Sequence, residues 1–122
     1  MGVRALCHVL IIEDEPLIAF DLENLLHANG AKTFSFAEGQ QAAIEASRAM
    51  RPDFILSDVS LADGSGPLAV EAIQHEMGAI PVIFVTATPE ACWPCPPPAQ
   101  IFRKPMNRAA IGAAFRSMAF PA

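Results

Sequence analysis

The chain has 122 residues, 52% hydrophobic and 17% charged, with a formal net charge of −5. That length and composition fit one ordinary domain with a sizeable core and exclude intrinsic disorder. The acidic balance excludes binding of nucleic acid through overall charge.

The elements alternate between short apolar runs and helical stretches. His8 to Ile12 is a continuous apolar run ending in Glu13-Asp14-Glu15, the pattern of a strand buried on both faces. Pro16 suits the first turn of a helix, whose apolar face is Ile18, Leu22, Leu25 and Leu26 and which Gly30 closes. Thr33 to Phe36 reads as a second strand, and Glu38 to Met50 as an Ala-rich helix stopped by Pro52. Phe54 to Ser57 is a third strand ending in Asp58, followed by a glycine-containing loop from Leu61 to Gly66 and a helix opened by Pro67. Ile80 to Val85 is a fourth strand ending in Thr86. Ile101 to Arg103 is a short fifth one ending in Lys104-Pro105. Asn107 caps a last helix with Ile111, Phe115 and Met118 on its apolar face.

Strands alternating with helices imply a parallel sheet covered on both faces, with ligands bound beyond the carboxyl ends of the strands. Four strand ends carry polar residues: Glu13-Asp14, Asp58, Thr86 and Lys104. All four are expected at one edge of the sheet. Converging carboxylates repel unless a cation or a proton intervenes. Hard oxygen donors without Cys or His suit Mg²⁺. A Lys and a Thr hydroxyl beside them can hold phosphoryl oxygens, and a carboxylate there can act as a nucleophile toward phosphorus. Taken singly, each feature has a plainer explanation: acids at a helix start, an Asp in a turn, a Thr closing a strand, a Lys-Pro turn.

In combination, the segments from Val9 to Pro16, Pro52 to Asp58, Leu61 to Gly66, Pro81 to Ala87 and Lys104-Pro105 resemble the receiver domain of two-component response regulators. The resemblance runs from about Val9 to Phe115. It implies a flavodoxin-like (βα)5 doubly wound fold, a five-stranded parallel sheet in the order 2-1-3-4-5, filling residues 1–122 as one domain. It implies that Asp58 is the phosphoacceptor and that Glu13, Asp14, Asp58 and the backbone carbonyl of Ser60 hold Mg²⁺. Thr86 would turn its hydroxyl to the phosphoryl group and Lys104 would pair with it. Ala87 supplies the small residue needed there, and Ser60 and Thr88 sit where the family tunes phosphoryl lifetime.

The sequence leaves the family pattern in three places. The switch position three residues before the lysine is Ile101 where an aromatic residue is usual, and alternation points Phe102 to the opposite face. Pro89, Pro94 and Pro96-Pro97-Pro98 crowd the fourth crossover, where each internal proline costs a helix about 3 kcal/mol. A mostly irregular or shortened segment is expected there: a single turn over Glu90 to Trp93, with polyproline II over Pro96 to Pro98. The Phe84-x-Thr86 pattern resembles a stand-alone receiver subfamily with Phe-x-Thr-Gly, but Ala87 replaces the glycine. Cys92-Trp93-Pro94-Cys95 could be half a zinc site or a redox dithiol. With no second pair, two loop cysteines packed beside Trp93 are expected instead.

The functional expectation is therefore a phosphoacceptor that assists its own phosphorylation and dephosphorylation and is not otherwise an enzyme. Its partners would be a histidine kinase or histidine phosphotransferase and a downstream protein, with a homodimer left open and no nucleic acid or membrane. An alternative is a phosphorylation-independent interaction module with a redox-sensitive Cys92/Cys95 loop. An aspartyl phosphatase would usually carry an acid two residues after the nucleophile, where Ser60 stands. No run approaches the ~18 apolar residues of a membrane span, no secretory leader is evident, and three cysteines make no disulfide scaffold. A cytoplasmic chain with reduced thiols is expected. His8, His27 and His75 read as structural or solvated, and Arg108 and Arg116 as a solvated face or a contact for an acidic partner.

Overall fold

The computed structural model describes residues 7–95 and 99–121. Five parallel strands, β1 (His8–Ile12), β2 (Thr33–Ala37), β3 (Phe54–Asp58), β4 (Val82–Thr86) and β5 (Ala99–Arg103), form one sheet in the order β2-β1-β3-β4-β5. Four helices connect or follow them: α1 (Pro16–Ala28), α2 (Gln40–Ala49), α3 (Gly66–Met77) and α4 (Arg108–Ala119). This is the doubly wound, flavodoxin-like architecture expected from the sequence.

The three inner strands β1, β3 and β4 are buried along their whole length, which explains their unbroken apolar runs. Alternation along them feeds two cores. On one face, Val9, Ile11, Phe54, Leu56 and Ile83 pack under α1 and α4, with Leu22, Leu26 and Phe115. On the other, Leu10, Ile12, Ile55, Val82 and Phe84 pack with α2 and α3, through Ala43, Ala69 and Ile73.

The helix starts show their local causes. Proline lies in the first turn of α1 and α3. The hydroxyl of Ser65 accepts from the Leu68 N–H at 3.3 Å, and Asn107 Oδ1 accepts from the Ala110 N–H at 3.0 Å. Helix α2 begins at Gln40 rather than Glu38, because Gly39 is extended and bridges to Asp63.

Between β4 and β5 the only helical piece among the described residues is a 3₁₀ turn at Pro89–Ala91, one residue earlier than the turn expected from Glu90. The shortened crossover follows from the prolines, which lack the N–H a longer helix would need. Pro96 to Pro98, where polyproline II was expected, lie outside the described residues. Cys92 and Cys95 are joined as a disulfide, and Trp93 is exposed, in place of the two separate cysteines packed beside Trp93 that the sequence predicts. The four-residue turn brings their Cα atoms to 5.8 Å, inside the range a disulfide spans.

Arg108 and Arg116 lie exposed on α4, as a solvated face would, and each also has a partner on or just after α1: Arg108 Nη1 pairs with Asp21 Oδ1 at 2.6 Å, and Arg116 donates to Asn29 Oδ1. His8 is buried, and its ring nitrogens lie 2.7 Å from the hydroxyls of Thr33 and of Ser35. Its own N–H donates to Asp53 Oδ2 at 2.8 Å. His27 and His75 are exposed on their helices, as expected. Among the described residues no helix is long and apolar enough to cross a membrane.

Candidate functional site

Strand register assembles the site. Ile12 stands opposite Ser57, so the first residue beyond β1, Glu13, lies beside Asp58 at the end of β3. Thr86 closes β4 opposite Arg103, and the Lys104 N–H donates to the Thr86 carbonyl at 2.8 Å. One oxygen from each of Glu13, Asp14 and Asp58 lies within 4.8 Å of the other two. Lys104 Nζ is 3.2 Å from Asp58 Oδ2. The residues expected at one sheet edge are therefore brought together there.

Burial divides the cluster. Glu13 and Asp58 are buried at 5% and 8% exposure, while Asp14 is half-buried. Burial pushes the Glu13 carboxyl up to about 7. The Glu15 N–H, donating to Glu13 Oε2 at 3.1 Å, opposes this; the Asp58 charge reinforces it and Lys104 again opposes it. Three carboxylates against one ammonium leave an excess of negative charge in a largely dehydrated place.

The remaining positions flank this centre. Thr86 is buried, and its hydroxyl oxygen accepts from the Thr88 N–H at 3.1 Å. Its own hydrogen is thus left to donate. Ala87 and Thr88 are exposed beyond it. Ser60 is exposed on the loop after β3 and bridges to Ser65. Ile101 is 39% exposed on β5, whereas Phe102 points the other way and packs against the core under α1 and α4.

Two supports escaped the reading of the sequence. The Ala62 N–H donates to Asp14 Oδ2 at 2.6 Å, a charge-assisted contact from the backbone of the β3–α3 loop. A backbone donor leaves no mark in a side-chain motif. The second is the start of α3, where Gly66 leaves no room for a Cβ against the Asp58 carbonyl and the Ser57 hydroxyl. Ser57 itself donates to that carbonyl at 2.7 Å. Gly66 was visible only as a loop glycine.

The family model described as "Response regulator receiver domain" matches residues 9–92. The chain belongs to the response regulator receiver family. This receiver is 40% identical over 115 residues to the phyllosphere-induced regulator PhyR of Methylorubrum extorquens, covering 92% of this chain and 43% of that protein. It superposes on the receiver domain of Erythrobacter litoralis PhyR with a TM-score of 0.85 at 35% identity, covering 98% of this chain and 95% of that one. The anti-anti-sigma factor PhyR of Bartonella quintana gives a TM-score of 0.79 at 36% identity, covering 95% of this chain and 48% of that one. The receiver thus spans less than half the length of the M. extorquens and B. quintana PhyR chains.

Proposed function

We propose that the chain is a phosphoacceptor in a two-component phosphorelay. Asp58 would take a phosphoryl group from a phosphohistidine of a histidine kinase or histidine phosphotransferase. The observation that carries this reading is the convergence of Glu13, Asp14 and Asp58 within 4.8 Å, with Lys104 Nζ 3.2 Å from Asp58.

The donor set fits Mg²⁺: hard carboxylate oxygens, no Cys or His among them, and an excess negative charge that a divalent cation balances. Glu13, Asp14, Asp58 and the Ser60 carbonyl would hold it, and when bound it neutralises charge on the phosphoryl oxygens. The chain's own groups do the rest. Asp58 supplies the attacking carboxylate oxygen as the N–P bond of the donor breaks and an O–P bond forms. Lys104 holds the Asp58 carboxylate in place and stays beside the phosphoryl group once it arrives. Thr86 has a hydroxyl hydrogen free to reach a phosphoryl oxygen. Ser60 and Thr88, two residues after Asp58 and Thr86, stand where the family tunes how long the acyl phosphate lasts, and Ala87 is the small residue the phosphoryl site needs. Ile101, lacking an aromatic ring, leaves Thr86 without the usual rotamer partner.

Residues 1–122 act as one cytoplasmic receiver domain whose output is protein binding, with no further catalytic activity and no contact with nucleic acid or membrane. The name of the B. quintana relative, an anti-anti-sigma factor, supports a protein as the target.

Beryllofluoride added to the Mg²⁺-saturated chain tests the reading by amide NMR. The expected result is a set of shifts at Asp58, Thr86 and Lys104 in the native chain and none in Asp58→Asn. Shifts that survive in Asp58→Asn, or none in either protein, overturn it.

A further inference from the structure

We propose that Cys92 and Cys95 form a reversible dithiol–disulfide site that holds the turn over residues 92–95 against a mainly apolar cavity on the sheet. The proposal is independent of phosphorylation at Asp58.

Among the described residues, little else holds the segment at positions 87–95. Pro89 and Pro94 lack an N–H, and the only helical piece described is the three-residue turn at Pro89–Ala91. Among the described residues, its hydrogen bonds are short-range or at its base: Thr88 N–H to the Thr86 hydroxyl, Cys92 N–H to the Pro89 carbonyl, and Arg103 to the Ala87 carbonyl and Glu90. The Arg103–Glu90 pair is exposed on both sides, so its contribution is small. Among the described residues the disulfide is the one covalent constraint on it.

The disulfide also sits where it matters for packing. Cys92 and Cys95 pack against the core under α2 and α3, as does Ala99. Pro94, between them, lines a small, mainly apolar cavity with Pro67, Val70, Phe84 and Ala99, to which Glu71 and Gln74 add a polar side. Joined, the pair holds Pro94 against that apolar surface. Reduced, the turn loses its cross-link and the cavity wall opens. Both cysteines are half-buried, so reagents in solution can reach them.

The chemistry closes with a peroxide as oxidant. One thiolate attacks a peroxide oxygen, giving a sulfenic acid and releasing one water after proton uptake. The second thiolate attacks the sulfenic sulfur, forming the S–S bond and releasing a second water. Two thiols and one hydrogen peroxide thus become one disulfide and two waters. A dithiol such as dithiothreitol reverses the state by thiol–disulfide exchange, becoming a cyclic disulfide itself.

The test uses the intact chain with hydrogen peroxide and then dithiothreitol. Alkylation followed by peptide mass mapping reads the thiols, and hydrogen exchange reads the segment. The peptide holding Cys92 and Cys95 should take two alkyl groups when reduced, none after peroxide, and two again after dithiothreitol. Exchange over residues 87–95 should be about tenfold faster in the reduced form, as weakly tied segments open at low local free energy, while β3 keeps its protection. The double variant Cys92→Ser/Cys95→Ser should exchange like the reduced form whether or not peroxide is added. Thiols that stay alkylatable after peroxide overturn the proposal. So does equal protection of the segment in both forms.

Discussion

The backbone N–H of Ala62 donates to Asp14 Oδ2 at 2.6 Å, fastening the β3–α3 loop to an acid at the end of β1. The contact fixes one carboxylate of the acidic cluster from a loop that is also pinned to α2, where the Gln40 N–H donates to the Asp63 carbonyl and the Ser65 N–H to Gln40 Oε1. Ala62→Pro deletes this donor. A hydrogen bond to a charged group contributes about 1.5–3 kcal/mol, so Mg²⁺ should bind roughly tenfold or more weakly. Ala62→Gly keeps the N–H and should bind nearly as the native chain does. Calorimetric Mg²⁺ titration of both variants checks this.

Glu13 gives the metal-free protein a pH dependence of definite sign. Its carboxyl moves from 4.5 to about 7 on folding. Between those values the folded state holds a proton the unfolded state has lost, so this group's stabilisation is full at low pH and disappears as pH rises through about 7. Tm measured in EDTA should show this fall, and Glu13→Gln should flatten it. Mg²⁺ needs the deprotonated carboxylate, so its affinity should rise from about pH 6 to about pH 8.

His8 acts with the opposite sign. Burial lowers its pKa below the ordinary 6.5, with Asp53 opposing. Its contribution is present above that value and is lost as pH falls through the folded pKa, because the unfolded chain takes up the proton first. NMR titration of the imidazole should place its midpoint below 6.5.

Gly66→Ala should destabilise the fold by at least about 1–3 kcal/mol, because its Cβ would collide with the Asp58 carbonyl and the Ser57 hydroxyl. Urea unfolding measures the loss. The displaced Asp58 backbone should also weaken the beryllofluoride response in whatever fraction stays folded.

Phe115→Ala should cost about 3–5 kcal/mol, as it empties a site where the ring meets Phe54 edge-on at a centroid distance of 4.9 Å. Arg108→Ala removes only an exposed ion pair with Asp21 and should cost about 1 kcal/mol or less. Denaturant midpoints of the two variants separate packing from surface charge.

The fold was legible because strand periodicity and proline placement are local signals. The buried runs of β1, β3 and β4 announce themselves by composition, and their polar ends mark one sheet edge. Register then sets Glu13 beside Asp58 and Lys104 beside Thr86, in keeping with the sequence order. What could not be read were partners supplied by tertiary contact. The Ala62 amide has no side-chain signature, and the Asp21 partner of Arg108 lies 87 positions earlier in the chain. The pairing of His8 with two hydroxyls on the neighbouring strand depends on β1–β2 register, which no local pattern encodes. The Cys92–Cys95 link follows from a turn geometry that composition alone leaves open.

The packing of α4 onto α1 sets an order of events in folding. Leu22 and Leu26 share their core with Ile111 and Phe115, and Arg108 and Arg116 reach back to Asp21 and Asn29. Helix α1 leaves the ribosome long before α4 does, so its apolar side must wait for partners nearly ninety residues later. Such long-range closure slows folding, because the entropy of closing the loop must be met before these contacts form. The side under α2 and α3 can mature during synthesis; the side under α1 cannot be completed until α4 arrives.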